Sequence, residues 1–114
     1  MAAAKHNLIV SRGEDYSFTL TVSSGATDPD LTNDTFKAEI RRASGKPLVA
    51  SFTYDTTNSA LEDNQVLLSL DKDESVKLDA NTNYKWDLFR IQSDGTTTRL
   101  ISGDVKVEGN ITDV

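Results

Sequence analysis

The sequence predicts an all-β fold, an antiparallel β-sandwich of about seven strands that forms a single domain over residues 1–114. Two observations support this prediction. Apolar and polar residues alternate with period two along much of the chain, and turn-forming residues separate the alternating runs. The 114 residues include no cysteine, so neither disulfides nor thiolate metal sites contribute to stability. Stability has to come from a hydrophobic core, which a domain of this length can bury.

Seven runs have the strand pattern, with apolar side chains on one face and polar side chains on the other. The parity changes within the sixth run, where Phe89 and Ile91 take positions opposite to those of Trp86 and Leu88. A β-bulge, or a strand covered on both faces, is therefore expected near Phe89. If Phe89 points outward beside Ile91, the two form an apolar patch that is a candidate contact surface. The runs are residues 8–10, 16–22, 36–41, 48–54, 66–70, 84–91 and 101–107.

Turn residues between the runs supply the backbone angles that tight reversals need. Ser44-Gly45 and Asp94-Gly95 are predicted hairpin tips, so the strands on either side of each should pair antiparallel. Further turns are predicted at residues 11–14, 23–25 and 28–30. Helical character is confined to residues 71–78, with Asp71 as the cap of one or two turns. Residues 1–6 at the start of the chain are expected to be flexible.

Residues 79–83 lead from the helical turn directly into the strand that begins at Tyr84. Immunoglobulin-like sandwiches enter a central strand in this way, past a tyrosine whose hydroxyl bonds to the backbone upstream. Trp86 lies on the same face as Tyr84 and is the predicted core anchor. The predicted sandwich is therefore immunoglobulin-like, with a barrel as the alternative architecture.

The chain carries 12 basic and 18 acidic residues, which gives a formal net charge of −6. Such a surface repels phosphate groups, so neither nucleic acid nor an anionic membrane is an expected partner. Arg41, Arg42 and Arg99 are candidates for charge-assisted bonds to a partner's carboxylates, although solvated strand ends explain them equally well. The apolar run at residues 8–10 is far too short for a signal sequence or a membrane span, so synthesis in the cytoplasm is expected.

No catalytic, cofactor-binding or metal-ligating residue is predicted. His6 is the only histidine, and no cysteine lies near it, whereas metal sites and catalytic triads need converging partners. Asp28-Pro29-Asp30 and Asp71-Lys72-Asp73-Glu74 are acidic but lack the ligand spacing of a calcium loop. They are interpreted as a turn and a capped helical turn. No carboxylate pair is singled out for glycosidase chemistry, so an enzyme is the weakest hypothesis and no small-molecule substrate is expected.

The aromatic residues offer an alternative function, because several exposed together would form a sugar-binding platform. Most of them occupy positions whose parity matches neighbouring aliphatic residues, which favours the core. In the fourth run, Leu48, Ala50, Phe52 and Tyr54 are expected on one face. Three exposed aromatic side chains on one sheet would favour a carbohydrate-binding module instead. The aromatic residues are Tyr16, Phe18, Phe36, Phe52, Tyr54, Tyr84, Trp86 and Phe89.

The order of several segments carries a family resemblance. These segments are Arg12-Gly13-Glu14-Asp15, Tyr16-Ser17-Phe18-Thr19-Leu20, Asp30-Leu31-Thr32, Phe36-Lys37-Ala38-Glu39-Ile40-Arg41, Leu48-Val49-Ala50-Ser51-Phe52, Val66-Leu67-Leu68-Ser69-Leu70, Tyr84-Lys85-Trp86-Asp87-Leu88 and Arg99-Leu100-Ile101-Ser102-Gly103-Asp104-Val105-Lys106-Val107. Together they resemble a broad group of small tailed-phage virion proteins and the N-terminal domains of tail or baseplate proteins. The resemblance extends from Asn7 to Thr112. One departure is Asn33, because members often have glycine after the aspartate-leucine-threonine turn.

This resemblance implies a non-enzymatic structural subunit of a tailed-phage virion. Its partners would be other virion proteins in the tail or baseplate, bound within a symmetric assembly in which many weak contacts act together. A capsid decoration or cement protein is the second possibility, and composition does not separate the two. No cofactor is implied, and neither a sheet face nor an edge strand is singled out as the interaction surface.

Overall fold

The computed structural model describes residues 4–22 and 29–109. Two β-sheets pack face to face around a hydrophobic core, which confirms the predicted all-β class and the sandwich layering. Within the described ranges there are nine strands and one helix of four residues. The strands are β1 (Ala4–Lys5), β2 (Leu8–Ser11), β3 (Tyr16–Thr21), β4 (Thr35–Arg41), β5 (Leu48–Ser51), β6 (Thr53–Asp55), β7 (Gln65–Leu70), β8 (Asn83–Ile91) and β9 (Thr97–Glu108); helix α1 (Lys72–Ser75) lies between β7 and β8.

The larger sheet has the strand order β1-β9-β8-β4-β5, with β2 also paired to β9, and the smaller sheet has the order β3-β7-β6. One additional strand and one divided strand account for nine strands where about seven are predicted. The additional strand is β1, which precedes the first predicted run at residues 8–10. The fourth predicted run is interrupted at Phe52, whose N–H still donates to the carbonyl of Ala38 in the larger sheet, before β6 joins the smaller sheet.

The first strand departs from the antiparallel prediction, because β1 and β2 both pair with β9 in parallel. Parallel strands need a long connection, and here almost the whole domain lies between the two partners. The expectation of a flexible start covered residues 1–6. Residues 1–3 lie outside the described residues, whereas Ala4–Lys5 pair with β9 and the His6 N–H donates to the Ser102 carbonyl at 3.0 Å.

The core follows the predicted alternation closely in β4, β7 and β8. Trp86 is 3% exposed and Tyr84 is 1% exposed, so the predicted core anchor is buried. Leu48 and Tyr54 differ from the expectation, because they are 48% and 40% exposed. Leu48 lies opposite Arg41 on the outer face of the larger sheet, because the register between β4 and β5 shifts between Ile40 and Arg41. Tyr54 lies on β6, an edge strand of the smaller sheet, where the opposite sheet gives less cover. The largest fully buried side chains are Tyr84, Leu8, Leu31, Ile40, Leu68, Leu70, Leu78, Leu88, Val10, Val66, Val105 and Val107.

Both predicted hairpin tips are confirmed, since β4 pairs antiparallel with β5 and β8 with β9. Gly45 and Gly95 have φ of 80° and 91°, a region that side chains with a Cβ rarely adopt. The predicted turn at residues 23–25 lies outside the described residues, as does Asp28.

The predicted cap is also confirmed, because the Asp71 carboxylate accepts the N–H of Glu74 at 3.0 Å. Glu74 in turn accepts the N–H of Ser51 at 3.0 Å on the free side of edge strand β5. Hydrogen bonds from the Lys77 side chain and from Ser51 lower the pKa of Glu74. Because the Ser51 N–H is already bonded to Glu74, this part of the β5 edge is less able to pair with an added strand.

Candidate interaction surface

The outer face of the larger sheet carries two adjoining depressions, of about 450 Å³ and about 310 Å³. The side chains that line these depressions define the surface called here the outer sheet face. They come from β1, β4, β8 and β9 and from the turn between β4 and β5, so four strands of the sheet contribute. The charged and large apolar side chains of this face at the surface are Lys5, Lys37, Glu39, Arg41, Lys85, Asp87, Phe89, Ile91, Arg99 and Asp104.

The register of the strands places charged side chains in rows across this face. Glu39 lies directly opposite Asp87, and Arg41 lies opposite Lys85, which is itself opposite Asp104. Opposed residues of an antiparallel pair have Cβ atoms about 4.5–5.5 Å apart, so the members of a row interact. Lys85 forms an ion pair with Asp104, and the Arg41 guanidinium lies 2.9 Å from a carboxylate oxygen of Glu39. The face therefore carries ion pairs both within a strand and between neighbouring strands.

Asp87 occupies the middle of the face and has a perturbed carboxyl group. Burial raises the pKa of Asp87; nearby Arg99 opposes this effect, the negative charge of Glu39 adds to it, and Arg41 opposes it. Opposed carboxylates are unfavourable in an isolated sheet because like charges repel. A cationic group from a partner would relieve this repulsion, so the pair is suited to accepting a charge-assisted bond.

Phe89 and Ile91 form an apolar patch within this charged surface. The register between β8 and β9 shifts at this point, because Leu88 pairs with Ile101 whereas Phe89 pairs with Arg99. Leu100 is consequently the additional residue of a β-bulge on β9, near Phe89 as expected, while the alternation of β8 itself continues unbroken against β4. Both Phe89 and Ile91 are half-buried and line the smaller depression. The outward option for these two residues is confirmed.

The charge of the outer sheet face is opposite in sign to that of the chain. Five of the 12 basic residues line the face, against three of the 18 acidic residues. The face thus has a formal charge of +2 in a chain of −6. The sequence does not reveal this segregation of charge, because the residues are scattered along the chain from position 5 to position 104. The five basic residues are Lys5, Lys37, Arg41, Lys85 and Arg99, and the three acidic residues are Glu39, Asp87 and Asp104.

No protein-family model matches the chain, and no curated protein matches it.

His6, the candidate ligand or base, has its backbone engaged at the edge of the larger sheet. Its ring centroid lies 5.9 Å from that of Phe18, and its carbonyl accepts the indole N–H of Trp86. The acidic candidates for calcium are used locally. Asp30 accepts the N–H of Thr32 at 3.0 Å, and Asp71 caps α1. Over residues 4–22 and 29–109, no group of three or more His, Cys, Asp or Glu side chains is arranged to hold a metal ion.

Arg12, Gly13, Glu14 and Asp15, one of the segments that carry the resemblance, bind the helical turn. The Ser75 hydroxyl accepts the Gly13 N–H and donates to the Glu14 carbonyl, both at 3.0 Å. Asp15 accepts the N–H of Lys72 at 2.7 Å, and the Arg12 guanidinium donates to the Leu78 carbonyl at 3.0 Å. The segment is therefore a structural clamp between β2 and α1. The sequence predicts a turn at residues 11–14 but not this contact, because the bonding partners lie more than 50 positions away.

The aromatic side chains are mostly internal. Phe18, Phe52 and Trp86 form a cluster with ring centroids 5.7 to 6.3 Å apart. On the outer sheet face, the described aromatic lining consists of Phe89 together with Trp86, which is buried. The exposed trio that would favour sugar binding is thus not found in this lining. In the part of the chain that the structure describes, no helix is both long and apolar enough to span a membrane.

Proposed function

We propose that the chain is a non-enzymatic binding subunit that contacts a neighbouring protein through the outer sheet face. The observation that carries the proposal is the half-buried pair Phe89 and Ile91, set among ion-pairing side chains in a concave face. Protein interfaces combine an apolar centre with a polar rim. A cluster of this kind on a rigid sheet provides both parts without requiring the domain to rearrange.

We further propose that the neighbours are virion proteins and that the chain is a structural subunit of a tailed-phage particle, located at the tail or baseplate. The support is the resemblance of its segment order, together with an immunoglobulin-like assignment of the fold. That assignment is favoured because β3-β7-β6 and β9-β8-β4 correspond to the B-E-D and G-F-C strand sets of such sandwiches. Tyr84 supports it too, since its hydroxyl accepts the N–H of Asp79 at 2.8 Å.

A capsid decoration or cement protein is the second candidate within the same class. It would use the same outer sheet face, so the geometry favours neither location over the other. A carbohydrate-binding module is a weaker alternative, because Phe89 is the aromatic side chain that the face offers in its smaller depression.

The test of location is immunolabelling of purified particles of the phage that encodes the chain, viewed by electron microscopy. Label at the tail tip is the expected result, and label over the head would replace the tail assignment with the decoration one. Absence of the chain from purified particles would overturn both virion assignments.

The test of the face uses the variant Phe89→Ser. We expect this variant to fold and to be depleted from particles relative to the wild-type chain, because the apolar centre of the contact is lost. Ser17→Ala on the smaller sheet is the matched control, since Ser17 is exposed on β3 and does not line the outer sheet face. Equal incorporation of Phe89→Ser and the control would remove the face from the proposal.

A further inference from the structure

We infer that the outer sheet face binds the acidic end of a second copy of this chain, so that copies associate head to tail. The inference rests on the proposed binding function and names the partner of that surface. The two regions of the fold that would meet have opposite charges, and each has an apolar centre.

The acidic end is defined by the loops at residues 29–34, 55–65 and 92–96, with Arg90 beside them. These segments meet at one end of the sandwich. The Leu31 N–H donates to the Asp63 carbonyl at 2.8 Å, and Ile91 at the end of β8 pairs with Thr35 at the start of β4. Its acidic residues are Asp30, Asp34, Asp55, Glu62, Asp63 and Asp94.

The described part of this end is strongly negative. It carries six acidic residues and one basic residue, a formal charge of −5. Arg90, the basic residue, is committed to an ion pair with Asp34 in which the two side chains are 16% and 8% exposed. Glu62 and Asp63 are both exposed, so their carboxylates face solvent. They are available to a cationic partner.

The acidic end also has an apolar anchor. Tyr54 is 40% exposed and lines a cleft of about 370 Å³ together with Asp55 and residues 32–35. Its ring packs on Phe36, with the ring centroids 5.6 Å apart, which holds it in place. An ordered aromatic ring with a polar tip is a common centre of protein contacts. The outer sheet face presents the matching apolar surface in Phe89 and Ile91.

Charge decides how two copies meet. Face against face would bring two positive surfaces together, and end against end would bring two negative surfaces together, so both symmetric pairings are disfavoured. In the heterologous contact, the outer sheet face, with a formal charge of +2, meets the acidic end, with a formal charge of −5. A heterologous contact repeats from copy to copy and produces either a closed ring or an open filament. Each contact depends on exposed charges, so its strength falls with salt.

The experiment is sedimentation velocity on the full chain over a range of protein concentrations, at low salt and at roughly 0.5 M salt, where the Debye length is about 4 Å. We expect oligomers that grow with concentration at low salt and dissociate at high salt. A chain that stays monomeric at every concentration in low salt would overturn the inference.

Paired charge reversals test the two surfaces separately. The face variant is Lys85→Glu with Arg99→Glu, and the end variant is Glu62→Lys with Asp63→Lys. Each alone should raise the dissociation constant of self-association at least about tenfold, because its two surfaces then repel or lose their attraction. Mixing the two variants should restore one contact in each mixed pair, since the unaltered face of the end variant can bind the unaltered end of the face variant.

Matched controls reverse the same numbers of charges at the opposite end of the domain. Lys72→Glu with Lys77→Glu controls the face variant, and Glu14→Lys with Asp73→Lys controls the end variant. Circular dichroism and thermal unfolding establish that each protein folds, and the corresponding single reversals replace any double variant that does not.

The outcomes separate this inference from the proposed function. Controls that weaken association as much as the test variants, or a mixture that stays monomeric, would overturn the head-to-tail contact. A monomeric chain that still labels phage particles would overturn only the self-association and leave the binding subunit in place. A chain that self-associates but is missing from particles would overturn the virion proposal while supporting the contact.

Discussion

The indole N–H of Trp86 donates a hydrogen bond of 2.8 Å to the backbone carbonyl of His6. The two residues lie 80 positions apart, and the bond passes over Gly103, which pairs with Trp86 across β8 and β9. A Cβ at position 103 would lie 2.1 Å from the His6 carbonyl oxygen. The largest aromatic side chain of the core therefore holds the first strand of the sheet, and only glycine leaves room for the contact.

Gly103→Ala should accordingly destabilise the domain and loosen the first strand. The new methyl group can be accommodated only if the His6 backbone moves away, which breaks its bond to Trp86 and leaves a buried N–H without its acceptor, at a cost of about 1–3 kcal/mol. Urea unfolding measures the loss, and hydrogen exchange should show faster exchange at His6. Ser102→Ala is the control, and an equal effect of the two changes would contradict this account.

Trp86→Ala should cost about 3–5 kcal/mol, enough to threaten the folding of a domain of this size. The indole contacts Phe18 and Phe52, with ring centroids 6.0 and 5.7 Å away, so its removal leaves a cavity between the sheets. Trp86→Phe keeps part of the volume and should lose less stability. Intrinsic fluorescence checks the premise, because a native emission maximum typical of indole in water would contradict burial of Trp86.

Arg90→Ala should destabilise the domain by about 3 kcal/mol, because it leaves the buried carboxylate of Asp34 without its partner. Asp34→Asn should cost less, since the amide can still accept a hydrogen bond. A double-mutant cycle with urea unfolding isolates the coupling energy of the pair. Lys85→Ala is a useful comparison. The side chains of Lys85 and Asp104 are 62% and 54% exposed, so their ion pair should contribute little to the free energy of unfolding.

Asp87→Asn should stabilise the domain at neutral pH. Burial raises the pKa of Asp87 in the folded state, so the native protein binds more protons than the unfolded chain between the ordinary aspartate pKa of about 3.9 and the raised value. The contribution of Asp87 to the free energy of unfolding of the wild type therefore increases as pH falls through that window. The advantage of the asparagine variant should shrink over the same range and vanish below it.

Unfolding of the wild type and of Asp87→Asn at a series of pH values measures this difference. Asp104→Asn is the control, because Asp104 is 54% exposed and paired with Lys85 on the same face. A stability difference for Asp87→Asn that does not change with pH would contradict the burial explanation.

The predictions that succeeded concern residues close together in the chain. Alternation in residues 84–88 indicated which side chains face the core, since successive side chains of a strand point to opposite faces whatever the strand pairs with. The change of apolar parity at Phe89 corresponds to the outward option for Phe89 and Ile91, because the alternation of β8 is unbroken against β4 and the bulge lies on β9. Asp71 and Gly95 marked a cap and a hairpin tip, because caps and tight turns depend on the dihedral angles and side chains of a few neighbouring residues.

The predictions that failed or were left open depend on distant parts of the chain. A register shift between β4 and β5 places Leu48 opposite Arg41, and Tyr54 lies on an edge strand, so the exposure of both depends on how the strands pair. The interaction surface was left open because Lys5 and Asp104 become neighbours only when β1 pairs with β9. Asn7, whose side chain accepts the N–H of Asp104 97 positions away, gave no local indication of that pairing.

The amino-acid sequence by itself determined the all-β class, the inward face of the main strands, both hairpins and the helical cap, because each follows from steric and hydrogen-bonding preferences over a few residues. The tertiary structure alone decided the parallel pairing of the first and last strands, the crossing of Phe52 from one sheet to the other, and the positive face on an acidic domain. These features depend on packing energies summed over contacts between residues that are far apart in the chain, and such sums have no local pattern.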